Sequence, residues 1–143
     1  MALKIFKNKG ENGAIPLSAE NLNYNFNDLD NRSVNESGSN NNGSWIKFNN
    51  GLMITIHQVN QSLARTSEWG SMYETNQAAN LGDYPQGFKY TPYIFLTLYG
   101  QNALFESIND ATKTSAGKVF LIAPTSNVEQ TYTIQVFAIG QWK

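Results

Sequence analysis

A chain of 143 residues has room for one domain of about 100 residues plus an appendage. Its formal net charge is -1 and only 15% of its residues are charged. The lysines (Lys4, Lys7, Lys9, Lys47, Lys89, Lys113, Lys118 and Lys143) form no patch, which argues against a nucleic-acid partner. The absence of cysteine removes disulfides, thiolate nucleophiles and most structural zinc sites, and leaves the compartment open. No apolar stretch at the N-terminus is long enough for a signal peptide. The longest apolar runs, Tyr93 to Leu98 and Val119 to Ala123, are far short of a membrane span. Abundant Asn and Gly beside 13% aromatics favour turns and strands over helices.

In chain order, residues 16–30 hold the one convincing helix, expected over 18–30. Ser18 is a suitable N-cap, Glu20 suits the positive end of the dipole, and Leu17 with Leu22 can form a hydrophobic staple. Leu22, Phe26 and Leu29 draw one narrow apolar stripe. A helix this short and rich in Asn is marginal alone in water, so the stripe needs a partner. That partner is either the chain's own β domain or copies of the helix or another protein. The second reading is favoured, because residues 31–44 separate the helix from the β domain. Those residues carry Val34 as their one apolar side chain and read as a linker.

From Trp45 the period changes to two. Ser44 to Phe48 and Leu52 to Val59 flank Asn49-Asn50-Gly51, a hairpin signal. On the second of these strands Leu52, Ile54 and Ile56 share one face and Met53, Thr55 and His57 the other. Tyr93 to Tyr99 is apolar on both faces, as suits a central strand or one buried between subunits. Gly117 to Ala123 and Thr131 to Ile139 complete the clear strands, while 60–90 and 100–116 are irregular. The expectation is a mainly β chain: attachment segment, linker, then an antiparallel, jelly-roll-like β-sandwich over 45–143.

Few residues offer catalytic chemistry. His57 is the only histidine and no Gly-x-Ser-x-Gly elbow exists, so a structural or surface role is expected. Glu68, Glu74, Asp83, Glu106, Asp110 and Glu129 fall in no glycosidase motif. Asp28-Leu29-Asp30-Asn31 lacks the Gly and terminal Glu of a calcium loop. No catalytic residue, metal or cofactor is expected. The aromatics say more: Trp69, Tyr73, Tyr84, Phe88 and Tyr90 are interleaved with Glu68, Glu74, Asn76, Asp83 and Gln86. Flat rings beside amides and carboxylates suit saccharide recognition; alternatively the rings pin a loop or fill an interface. The candidate saccharide set is Trp69, Tyr73, Glu74, Asn76, Asp83 and Tyr84, with Gln101 and Asn102 from a second loop.

Several stretches resemble one family. Asn12-Gly-Ala-Ile-Pro-Leu-Ser-Ala-Glu-Asn-Leu-Asn-Tyr24 is similar to an opening common in baseplate and tail-tip proteins of phages infecting Gram-positive bacteria. Glu36-Ser-Gly-Ser-Asn-Asn-Asn-Gly-Ser-Trp-Ile-Lys-Phe-Asn-Asn-Gly51 resembles the start of phage tail-fibre heads, which read "E-S-G-x-N-x-N-G-x-[YW]-I-K-F-x-[DN]-G". Ala138-Ile-Gly-Gln-Trp142 resembles their "A-I-G-x-W" ending, and Phe88-Lys-Tyr-Thr-Pro92 their "F-x-x-x-P" strand. The resemblance implies that these motifs are framework and that receptor contacts lie in variable loops. It implies a receptor-binding protein at the virion tail tip, made in the host cytoplasm. There it forms a homotrimer, docks on other baseplate proteins by its N-terminal segment, and binds a cell-wall saccharide or teichoic-acid-like polymer; Leu17, Leu22, Phe26 and Leu29 are the candidate oligomer-forming or attachment residues. No extended shaft separates attachment segment from head, as one does in longer relatives, which implies a short tip protein. The rival readings are a baseplate adaptor without a receptor, whose aromatics would all be buried, and an envelope glycosidase using Glu68, Glu74 or Asp83.

Overall fold

The structure, a computed structural model, describes residues 19–99 and 102–143. Two long strands organise it. β3 (Leu52–Arg65) and β11 (Asn127–Gln141) pair antiparallel without interruption from Leu63↔Gln130 to Leu52↔Gln141. Around them β1 (Val34–Asn40), β2 (Gly43–Phe48) and β7 (Tyr93–Tyr99) complete a five-stranded sheet in the order β1-β2-β3-β11-β7. A four-stranded sheet, β4-β5-β10-β8, is built from β4 (Ser67–Trp69), β5 (Met72–Glu74), β10 (Leu121–Ala123) and β8 (Leu104–Phe105). The short pair β6 (Ala79–Asn80) and β9 (Lys118–Val119) forms a separate two-stranded sheet. The expected antiparallel β-sandwich is thus present. The strand expected over Gly117 to Ala123 divides at Phe120, because its first half pairs with β6 and its second with β5 and β8.

The core lies between the layers. Met53, Thr55 and His57 of β3 and Tyr132, Ile134, Val136 and Ala138 of β11 point inward onto Leu81, Tyr84, Phe88, Val119 and Leu121. Of the two faces of β3, the less apolar one is therefore inside. His57 occupies a structural position: Nε2 donates to the Leu81 carbonyl at 2.7 Å, and its ring meets Tyr84 edge-on at 6.1 Å. Arg65, also buried, has neutral partners, donating to the Thr125 carbonyl (3.0 Å) and the Tyr132 hydroxyl (2.8 Å). Thr55 Oγ1 is wholly buried and makes no hydrogen bond.

Residues 31–44, expected as a linker, are corrected by the structure: helix α1 (Ala19–Arg32) runs into them, and β1 with the start of β2 occupies the rest. A strand of Asn, Ser, Glu and Gly has no hydrophobic period to betray it, and here it is an exposed edge defined by its backbone ladder and a few side chains. Glu36 accepts from Lys47 at 3.0 Å, and the ammonium holds its carboxyl below the usual carboxylate range. The Trp45 indole lies flat on Gly38, where a Cβ would fall 2.6 Å from the ring, and its Nε1 donates to Glu36 at 3.3 Å. The sequence that resembled a linker is a motif hairpin.

The other motif residues converge on the same end of the sheet. Trp142 donates from Nε1 to the Phe48 carbonyl and from its backbone N–H to the Gly51 carbonyl, both at 3.0 Å. Gly140 sits under Pro92 and Phe88, with no room for a side chain larger than hydrogen unless they shift. The three stretches thus pack on one another, as framework does.

Helix α1 ends where Ser33 bonds back to Asp30 and Leu29, and Asn49 ties it to the β2–β3 turn through Ser33 and Asp30. Phe26 and Leu29 are exposed and Leu22 is half-buried; Leu17 lies outside the described residues. Among the described residues no helix is long and apolar enough to cross a membrane.

A buried hydroxyl without a partner costs about 1–3 kcal/mol, and Val fills the same volume without it. Thr55→Val is therefore expected to stabilise the fold by about 1 kcal/mol, read as a higher urea midpoint at unchanged slope. A loss of stability would show that Thr55 Oγ1 has a partner.

Candidate functional site

The irregular stretch that carried the candidate saccharide set folds into two places. Its first part makes the β4–β5 hairpin, in which Ser67↔Glu74, Glu68↔Tyr73 and Trp69↔Met72 face each other. Because cross-strand partners share a face, Trp69 and Glu74 stand on one side of the hairpin and Glu68 and Tyr73 on the other. The register continues across the sheet: Glu74 pairs with Ile122, and Ile122 with Leu104. Trp69, Glu74, Ile122 and Leu104 therefore share the outer face of the four-stranded sheet, while Leu121, Ala123 and Phe105 line its inner side.

On that outer face lies a shallow hollow of about 330 Å³, lined by Asn102, Ala103, Leu104, Ile122, Ala123 and Pro124. Ile122 is almost fully buried between its neighbours and forms the floor, whereas Trp69 is 48% exposed. The hollow offers the Asn102 amide beside an apolar lining, and the Trp69 ring and Glu74 carboxylate stand on the same sheet face outside that lining. Such a set can lie against the C–H face of a sugar and bond its hydroxyls.

The remaining candidates are elsewhere. Asn76 is committed to the backbone: its Oδ1 accepts from the N–H and hydroxyl groups of both Thr66 and Ser67, closing the base of the hairpin. Asp83 sits in an isolated bridge with Ser115. Tyr84 is a core residue, 4% exposed, stacked edge-on against Phe88 at 5.0 Å. Gln101 lies outside the described residues. Sequence reasoning missed Leu104, Ile122 and Pro124; the one available signal was that Val119 to Ala123 is apolar on both faces, so one face has to lie outside the core. Of the acids weighed for glycoside hydrolysis, Glu68 and Glu74 are on opposite faces of the hairpin, and Asp83 is in another loop. Among the described residues, no three His, Asp or Glu side chains gather as a metal cage.

A second surface stands out, the outer face of the five-stranded sheet. Tyr93 to Tyr99, apolar on both faces in sequence, is the edge strand β7 and not a central one, and it exposes Tyr93, Phe95 and Tyr99. Ile46 and Ile56 are exposed beside it.

No protein-family model matches the sequence, and no curated protein matches it significantly. Two solved structures are similar in shape. One is a fragment of the P. aeruginosa R1 pyocin fibre comprising C-terminal residues 323–701. The other is an N-truncated R1-type pyocin tail fibre. Each is 17% identical over 87% of this chain, with TM-scores of 0.48 and 0.49. The chain spans 32% of the first and 98% of the second. Likeness at that level carries no argument about what the chain does.

Burial pushes the Tyr84 phenol up to about 12, and Tyr132 is raised by burial against the opposing Arg65 charge. An unfolded tyrosine titrates near 10, so the folded state holds this proton more tightly. The stability this supplies is complete below about pH 10 and lost as pH rises toward 12. Tyr84→Phe should flatten the decline of thermal stability across that window; an unchanged slope would remove Tyr84 from the account.

Proposed function

We propose that the chain is a receptor-binding protein of a phage tail tip. In this reading it attaches to the baseplate through its N-terminal segment, and its β head binds a cell-wall saccharide or teichoic-acid-like polymer of a Gram-positive host. The observation that carries the reading is the exposed Trp69 ring, which shares the outer face of the four-stranded sheet with Glu74 and with the hollow lined by Asn102, Leu104 and Ile122. The motifs resembling tail-fibre heads support it, since they account for the scaffold and leave the hollow outside themselves. The adaptor alternative calls for a head whose aromatics are all buried, and the exposure of Trp69 weighs against it. The separation of Glu68, Glu74 and Asp83 favours binding over hydrolysis.

Such a head needs no tight single site. Three copies per tip, repeated around a tail, multiply weak contacts with a repetitive polymer into avidity. The solvent-exposed Phe26 and Leu29 of α1 suit attachment to a further chain.

The test is binding of the labelled full chain to Gram-positive cells and to their purified wall polymers. Trp69→Ala is expected to weaken binding by at least about tenfold, the cost of one lost stacked ring, with the circular dichroism of the head unchanged. Glu74→Gln should weaken it less. Binding that survives Trp69→Ala intact would place the receptor site elsewhere, and no binding to any wall polymer would leave the adaptor reading.

A further inference from the structure

The outer face of the five-stranded sheet presents two largely apolar rows beside two uncharged polar ones, all in register. Ile46, Ile54, Ile139 and Tyr93 form one row across β2, β3, β11 and β7. Ser44, Ile56, Phe137 and Phe95 form the next, with the two phenyl rings 5.9 Å apart. Two further rows, Gln58-Gln135-Thr97 and Asn60-Thr133-Tyr99, are polar but uncharged. Ile56 is 54% exposed, Phe95 60% and Tyr93 78%. A hollow of about 370 Å³ opens between Ile56, Phe137, Phe95 and the glutamines.

We infer that this face is covered by a second copy of the same chain. The inference rests on the multi-copy head proposed above and says where its copies touch. Three features single out the occupant. All four rows are free of charge, so identical faces meet without repulsion, and charge depletion is the compositional mark of an interface core. A charged wall polymer would find no counter-ion there. Four rows over three or four strands, at about 4.8 Å between strands and 6.6 Å between rows, cover on the order of 450 Å² in projection, about half of the ~800 Å² per partner of a standard interface and the size of the largest, often functional, patches on monomers. Finally, among the described residues β7 is an unpaired edge with no charged residue along Tyr93-Ile-Phe-Leu-Thr-Leu-Tyr99, the kind of edge that aggregates unless something covers it.

Because the chain has no cysteine, single cysteines report the contact directly. Thr97→Cys, in the third row, and Ser71→Cys, in the exposed β4–β5 turn, are both mild changes. In the native full chain Thr97→Cys is expected to react with a maleimide at least about tenfold more slowly than Ser71→Cys, and at the same rate in denaturant. Equal native rates overturn the inference. Phe137→Lys is expected to lower the light-scattering mass from that of an assembly to that of one chain, while Trp69→Ala leaves it unchanged. An assembly that persists in Phe137→Lys with Thr97→Cys freely labelled overturns this face but not the multi-copy head. A wild-type mass of one chain overturns both, and leaves the test of saccharide binding standing. Should Phe137→Lys fail to fold, the labelling ratio decides alone.

Discussion

The pairing of β3 with β11 is the constraint on which the rest depends. It fixes which side of β3 looks inward, and the choice is not the one its hydrophobicity favours. Met53, Thr55 and His57 go inside, where His57 finds the Leu81 carbonyl and Tyr84. Leu52, Ile54 and Ile56 go outside. A one-residue slip would exchange the two sets, so register alone decides whether the protein has an apolar exterior. Thirteen paired positions, reinforced by β7 along the other edge of β11, hold that register.

The same ladder divides the molecule into two surfaces of different character. The outer side of the five-stranded sheet is broad, uncharged and rich in isoleucine and phenylalanine. The outer side of the four-stranded sheet is small and mixed, carrying Trp69, Glu74 and a hollow lined by Asn102 and the buried Ile122. They belong to opposite layers of the sandwich, so an assembly built on the first leaves the second accessible. Self-association and recognition of a foreign polymer then make no competing demands on the same side chains.

Much of the fold was legible because period-two patterning and Asn-Gly turns leave a signal in the sequence. Strand β2 and most of β3 and β11 fall where alternation places them, β7 where its apolar run does, and the helix where its stripe places it, its expected cap Ser18 lying outside the described residues. Strand β1 was not legible: Val34–Asn40 is polar on both faces, and what makes it a strand is Glu36 reaching Lys47 and Trp45 lying on Gly38. The continuation of β3 through Asn60-Gln61-Ser62 was hidden for the same reason, its partner lying some seventy residues on. At the candidate site, composition assembled the right kinds of residue but could not sort them by depth. Tyr84 and Trp69 look alike as aromatics, yet one packs on Phe88 and the other faces water. Asn76 resembles a sugar ligand until its oxygen is seen to be taken up by Thr66 and Ser67.

The bond from Trp142 to Phe48 spans 94 residues, and β11 comes after every other described strand in sequence while lying in the interior of its sheet. Until β11 is made, β3 and β7 have no common neighbour, and the β1–β2–β3 meander exposes both of its faces. Closing so large a loop before any long-range contact compensates for it places the head among slowly folding topologies. Its five-stranded sheet cannot be completed until β11 has been made, so the sandwich closes late.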